Sequence, residues 1–465
     1  MEKAKKKGFK MPHLLWIMVG LILMCSLLTY IIPAGQYGVD ENGAIIGSQF
    51  QYLGCQTPVS PMAAFLSVHQ GMVESGTIIF IVMICGACIE VSMATKCFDK
   101  LLDWAIYRFK DSGQTLLITV MFCLMVYLGA FGGSDALIAI VPVGILFAKK
   151  MRLDPICAMA MSTFATLIGF GTGPTKTMIV QGLMGTRVYG AFVSRFIFMN
   201  GFMVIGLFMV LAYVKKIQAD PRKSPMYQEG WRPGEASGDG EIKNAAMNWR
   251  IAANIGLFIG QFAFVVVYGL MGGPYGTYAV MAAVMMGVAV VQGIIARMSA
   301  DEIGNIFVKG IAGMAFVGFV IGMARTVSIV LANGNVLHTI VYILTIPLMN
   351  LPSWVATIGM MLVITLINPM IPSATSKAAI LIPIVKPIGQ VLGLAPEMIV
   401  QAFQFGDGFT NIISPLLGWT VGSLAMAGVS IQTWMKWALP KVLFFIGTAC
   451  LILFGLTMAG WTGAF

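Results

Sequence analysis

The chain has 465 residues, 58% of them hydrophobic and only 10% charged, with a mean hydropathy of +0.87. Soluble domains carry nearer a quarter charged residues, so a water-soluble globular protein is excluded and a lipid bilayer is the main solvent. The net charge of +10 does not point to nucleic acid, because the basic residues cluster in short loops, as they do on the cytoplasmic side of membrane proteins.

The Lys-rich stretch Met1–Lys7 precedes an apolar segment from Leu14 to Ile32. It is longer than a secretory h-region and reads as an uncleaved first helix with its N-terminus in the cytoplasm of a bacterial inner-membrane protein. The polar segment 33–60 contains no Lys or Arg and is placed outside; residues 61–75 are expected along the interface, and 76–95 return inside. Residues 96–112 form an amphipathic stretch with Lys96, Lys100, Arg108 and Lys110. Two apolar arms then flank Gly132-Gly-Ser-Asp135. The second, of about 13 residues, is too short to cross about 30 Å of hydrocarbon as a helix. Both ends of the unit 114–150 are basic, so it reads as a re-entrant hairpin; two ordinary spans with a tight external turn are the competing reading.

Residues 154–190 read as a transmembrane helix broken at Gly169-Phe-Gly-Thr-Gly-Pro-Thr-Lys176, where three glycines and a proline cannot hold a regular helix. The span 195–213 returns inside, which leaves Arg187 and Arg195 outside, in discord with the positive-inside rule. Residues 214–250 read as a partly flexible cytoplasmic linker. Scaffold spans follow near 251–271 and 276–297, with a short interfacial piece at 300–310. From 311 the earlier order returns: a span (311–332), an amphipathic stretch (337–350), a hairpin (353–391) with the tip Pro372-Ser-Ala-Thr-Ser-Lys377, and a broken helix (396–431) carrying Gln404-Phe-Gly-Asp-Gly-Phe-Thr-Asn411. A last span lies near 442–460. Residues 1–60 thus precede a first repeat (61–213), and 251–310 precede a second (311–465). A shift of 241 lays Pro142 on Pro383, Pro155 on Pro396 and Pro174 on Pro415. One additional span puts the second hairpin in from the opposite side. The expected fold is an all-α polytopic membrane protein with an inverted-topology repeat, the architecture of many secondary transporters.

Ionisable residues inside apolar segments each cost about 2.5–3.5 kcal/mol. Glu90, Arg325 and Lys386 lie on helices or hairpin arms and read as structural. Asp135, Lys176, Lys377 and Asp407 sit in tips and breaks. There the hydroxyls of Ser134, Thr172, Thr175, Ser373, Thr375, Ser376 and Thr410, with Asn411, can bind substrate oxygens or a sodium ion. Lys176 and Lys377 supply positive charge for a carboxylate. Asp135 and Asp407 hold a cation, titrate with a coupling proton, or bind an amino group. Sodium could be held by Ser134, Thr375 and Asp407. An internal salt bridge is the competing role for each charge. His13, His69 and His338 are isolated, and no tightly bound metal or other cofactor is expected.

The strings Ile32-Pro-Ala-Gly-Gln-Tyr37, Pro372-Ser-Ala-Thr-Ser-Lys-Ala-Ala379 and Gln404-Phe-Gly-Asp-Gly-Phe-Thr-Asn411 resemble the YfcC family of bacterial carriers. That family is grouped with the C4-dicarboxylate carriers and p-aminobenzoyl-glutamate transporters in the ion transporter superfamily. The resemblance spans residues 13 to about 460. It implies two hairpins, two broken helices, an inverted repeat, and a homodimer in which a mobile unit moves against a scaffold. Its members are assigned variously to C4-dicarboxylates, basic amino acids or other organic solutes. In sodium-coupled relatives Ser-Asn-Thr-like tips hold carboxylate and sodium. The tips here depart from that pattern, which weakens the sodium expectation and brings the charged tip residues forward. The expected function is secondary active transport of a small carboxylate-bearing or amino-acid-like solute, as symport or antiport. The alternatives are a substrate-gated channel and, behind it, an intramembrane hydrolase using Asp135 and Asp407, whose carboxylates would have to share a proton.

Overall fold

A computed structural model of the chain describes residues 14–39, 41, 45–108, 113–131, 141–187, 189–233, 248–271, 275, 277–371 and 373–463. After α1 (Leu14–Ile31) the segment expected as an external loop forms an antiparallel hairpin, β1 (Gly35–Val39) and β2 (Ile45–Tyr52). Hydropathy cannot see such a hairpin, because aromatic contacts hold it: the Phe50 ring stacks on Tyr342 at 3.8 Å, and Tyr37 meets His338 edge-on at 5.6 Å. The helices α2 (Pro61–Glu74), α3 (Gly76–Ala94), α4 (Cys97–Arg108), α5 (Gly113–Phe131) and α6 (Val141–Lys150) follow. The first broken helix comprises α7 (Pro155–Met159), a π-turn (Ala160–Phe164), α8 (Ala165–Thr172) and α9 (Met178–Met184); α10 (Phe192–Ala219) then closes this half. Next come α11 (Trp249–Leu270), α12 (Thr277–Ile295), α13 (Ala300–Asn333), α14 (Leu337–Thr345), α15 (Ser353–Ile367) and α16 (Ala374–Val391). The second broken helix is α17 (Pro396–Gly408), continued by a 3-10 turn (Phe409–Ile412), and α18 (Gly418–Ala427); α19 (Ile431–Met458) is last. Among the described residues six helices are long and apolar enough to cross a membrane.

The halves are built alike and run in opposite senses. Helices α2 and α3, interrupted only at Ser75, lie along the 34-residue α13. Met72 meets Gly322, Ile79 meets Gly318 and Ala87 meets Gly310, so the register falls on one helix as it rises on the other. Equivalent elements are therefore antiparallel, as an inverted repeat requires. Residues 61–75 and 300–310, expected as interfacial pieces, are instead the opening turns of these two long helices. Pro155 and Pro396 each open the first half of a broken helix, where a missing N–H costs nothing. Packing between the halves is exchanged: α6 lies against α18, and α16 against α9.

The basic ends gather on one side. Lys150 at the end of α6 pairs with Asp99 (3.2 Å) and Asp103 (3.0 Å) of α4. Part of the expected flexible linker is folded here. Asp154 caps α7 and accepts from Tyr213 Oη and Ser224 Oγ (2.5 Å each), while Glu229 accepts from Ser430 Oγ at 2.8 Å. Residues 234–247 of that linker lie outside the described residues.

The two broken helices cross backbone to backbone. A Cβ placed on Gly171 would stand 2.8 Å from the Gly408 Cα, and one on Gly408 would stand 2.1 Å from the Gly171 Cα. Small residues let membrane helices approach this closely. Gly408→Ala is therefore expected to destabilise the protein by about 1–3 kcal/mol, the usual cost of overpacking, because the obstructing atoms are main chain. A lowered unfolding temperature in detergent is the measurement, with Gly447→Ala on the open face of α19 as the control.

Candidate functional site

Each helix break exposes main-chain groups that lipid cannot satisfy, and each is answered by protein. In the first, residues 173–177, the Gly173 carbonyl accepts from Gln404 Nε2 (2.7 Å) and Thr175 Oγ1 donates to the Ala130 carbonyl (2.6 Å). The π-turn just before it lies where Ser162 and Thr166 return their hydroxyls to carbonyls four residues back, at 2.6 and 2.7 Å, a habit that bends helices. In the second, the Asn411 carbonyl accepts from Thr420 Oγ1 (2.5 Å) and the Ile412 carbonyl from Trp434 Nε1 (2.8 Å). Both openings overlap the expected breaks, 169–176 and its 241-shifted counterpart 410–417, toward their C-terminal ends. Gly169 to Thr172 remain helical, and so do Gln404 to Gly408; the main chain opens at 173–177 and 413–417. The reason is close packing. A Cβ on Gly169 would stand 1.9 Å from the Val126 carbonyl, and one on Gly406 would stand 2.6 Å from that of Met361.

Between α8 and the second break lies a cavity of about 360 Å³. Its walls are Ser75 and Ile78 from α2–α3, Phe170 from α8, Ala324 and Arg325 from α13, Ser373 and Thr375 from the second hairpin tip, and Asn411 and Trp419 from the second broken helix. The volume lies at the small end of the range for ligand sites. Arg325 donates from Nε and Nη2 to Glu74 Oε2 at 2.8 Å each, and Gln70 Nε2 holds the other oxygen of Glu74 at 2.8 Å. The ion pair is one-third exposed on both sides.

Behind the tip the charges are paired. Lys377, fully buried in the first turn of α16, donates to the Asp407 carboxylate and to Asn368 Oδ1. Asn368 Nδ2 lies 2.8 Å from the Asp407 carbonyl, 2.6 Å from Thr410 Oγ1 and 2.8 Å from Asn411 Oδ1. Its two hydrogens serve two of these three at a time. The cluster thus ties hairpin to broken helix, and Asn411 joins it to the cavity wall. A water-sized void of about 30 Å³ separates it from Lys176 and Gln404; the Lys176 ammonium stands 6.0 Å from the centroid of the Phe170 ring.

Of the residues the sequence singled out, Ser373, Thr375 and Asn411 line the cavity, while Lys377, Asp407 and Thr410 join the buried cluster. In this conformation Lys377 takes the competing role of an internal salt bridge and does not line the cavity. Thr172 returns its hydroxyl to the Ile168 carbonyl at 2.7 Å, and Ser376 donates its backbone N–H to Ser373 Oγ at 3.3 Å. Ser134 and Asp135 lie outside the described residues. Of the trio proposed for sodium, Thr375 lines the 360 Å³ cavity and Asp407 the 30 Å³ void, while Ser134 lies outside the described residues.

Sequence reasoning missed Asn368 and a second buried pair. Arg195, wholly buried in the first turn of α10, donates from Nη2 to Glu397 Oε2 at 2.7 Å and from Nε to Gln401 Oε1 at 3.2 Å. Gln181 Nε2 reaches the same carboxylate at 3.1 Å. Arg195 is therefore no loop charge, and its half of the discord with the positive-inside rule disappears. The signal was present as a stripe: Glu397, Gln401, Gln404 and Asp407 recur at helical spacing along α17.

A family model described as C4-dicarboxylate anaerobic carrier (DcuC) matches residues 11–458. An uncharacterized protein of Haemophilus influenzae is 23% identical over 97% of this chain and 96% of its own length. The putative basic amino acid antiporter YfcC of Escherichia coli is 22% identical over 94% of each chain. Two solved structures align at a TM-score of 0.45. The YdaH transporter of Alcanivorax borkumensis does so at 16% identity over 97% of this chain and all of its own. MtrF of Neisseria gonorrhoeae, from a class of antimetabolite efflux pumps, does so at 17% identity over 97% of this chain and 96% of its own. The match along almost the whole sequence, on a helical membrane fold with repeated halves, makes this chain a member of the C4-dicarboxylate anaerobic carrier (DcuC) family and a membrane transporter.

Proposed function

We propose that the protein is a secondary active transporter that carries a small carboxylate-bearing or amino-acid-like solute by alternating access. The observation that carries this reading is the polar-walled cavity between the second hairpin tip and the second helix break. A space that combines Arg325, two tip hydroxyls and the start of α16 with apolar walls is suited to a small anionic group. In this reading the hairpins are re-entrant and move with the broken helices against a scaffold of α1, α11, α12 and the long helices α2–α3 and α13. The basic end faces the cytoplasm of a bacterial inner membrane, as does the N-terminus. A homodimer belongs to the same reading and is checked by light scattering of the detergent-solubilised protein.

In this reading the coupling ion is a proton and not sodium, because Asp407 already holds a cation in Lys377. Proteoliposomes test the whole reading. Counterflow of radiolabelled solute against unlabelled solute, drawn from a panel of C4-dicarboxylates and amino acids, is expected with at least one of them. Uptake is expected to follow an imposed pH gradient in sodium-free buffer. Flux that shows no counterflow would instead indicate a channel.

A further inference from the structure

Among the described residues the cavity wall carries one charged side chain, Arg325, and its partner Glu74 adjoins the lining Ser75. We infer that this ion pair is the recognition element for a zwitterionic cargo: the cargo carboxylate takes Arg325 from Glu74, and the cargo ammonium takes the released Glu74. The inference rests on the transport reading above and deepens it to a charge pattern for the cargo.

Three observations support it. The ion pair is one-third exposed on each side beside the cavity, so a cargo can reach it. The pair is also only partly saturated. Two N–H groups of Arg325 converge on a single oxygen of Glu74, which leaves donors of the guanidinium fork for a second carboxylate. Finally, charge must balance in a space walled by leucines, isoleucines and a tryptophan. A dicarboxylate entering here would set three negative charges against one arginine and a helix end. A zwitterion replaces one ion pair by two, with no charge left over, and unmatched charge in a poorly hydrated site is what costs most. Thr375, with the Ser373 hydroxyl hydrogen and the Asn411 amide hydrogens, also on the wall, can select the cargo's third substituent.

The test reads each charge separately. Purified wild-type protein is titrated by calorimetry with the standard α-amino acids, with succinate, and then with the N-acetyl and carboxamide derivatives of the amino acid that binds best. Each derivative removes one cargo charge, and each is expected to bind at least tenfold more weakly than the parent. In Glu74→Gln, the parent should bind at least tenfold more weakly, and N-acetylation should make no further difference. In Arg325→Gln, the same should hold for the carboxamide. These matched losses are what a merely structural role would not produce, since a general disturbance weakens all ligands alike. The wild-type derivatives keep the test decisive if a variant fails to fold. Binding of succinate but of no amino acid, or equal losses for all ligands, overturns the inference. If counterflow of succinate persists in that case, the transport reading stands without it; absence of counterflow with every solute removes both.

Discussion

Removing one member of the Lys377–Asp407 pair is expected to abolish transport and to destabilise the fold by about 3–5 kcal/mol, the usual cost of leaving a buried charge uncompensated. Lys377 is wholly buried and Asp407 nearly so, so neither can recover its partner's contribution from water. Asp407→Asn leaves the Lys377 ammonium facing neutral oxygens alone. Lys377→Met leaves the carboxylate with no cation. Replacing both by apolar residues of similar size, Lys377→Met with Asp407→Leu, should restore most of the stability, because a matched buried pair is often worth no more than good packing. It should not restore transport. Unfolding temperature in detergent and counterflow in proteoliposomes separate the two effects. A double variant that transports at the wild-type rate would reduce the cluster to scaffolding and remove Lys377 and Asp407 from the site.

The Arg195–Glu397 pair should behave similarly in stability and differently in mechanism. Glu397→Ala strands a guanidinium with no solvent exposure, and about 3–5 kcal/mol is again expected. Arg195→Lys is not a conservative change, because one ammonium cannot reproduce a fork that spans Glu397, Gln401 and the Gly190 carbonyl. The loss should propagate along a specific route. Gln401 neighbours Gln404, and Gln404 holds the open carbonyl of Gly173. Amide exchange at residues 173–177 is therefore expected to rise in Glu397→Ala while exchange in α2 and α13 stays unchanged. An equal rise everywhere would mean global loosening and no such route.

The repeat was legible from its prolines: Pro155 and Pro396 open helices and Pro174 and Pro415 stand in the breaks, irrespective of what packs around them. The breaks were legible for the same reason, as segments 169–176 and 410–417, although the glycines on their N-terminal side stay helical. Glycine carries two signals, conformational freedom and absence of bulk, and at Gly169, Gly406 and Gly408 the second applies: neighbouring main chain occupies the place of a side chain. The charged residues were found by their cost in lipid, yet their partners lie far away in sequence. Glu74 and Arg325 are 251 positions apart, and Arg195 and Glu397 are 202. No local pattern encodes such pairings. Arg325 was read as structural because it lies within a helix, and it stands on the wall of the cavity.

The cluster of Lys377, Asp407 and Asn368 belongs to one half alone. At the 241-residue shift that joins Pro155 to Pro396, the matching positions hold Ala136, Thr166 and Tyr127, none of them charged. A machine whose halves are mirror-built but unequally wired has unequal strokes. Swinging the second hairpin must either drag its electrostatic clasp along or part it, whereas the matching positions of the first half hold no such charges. In an alternating-access cycle the inward-open and outward-open states then differ in free energy, while the overall barriers in the two directions stay equal at balanced solute concentrations.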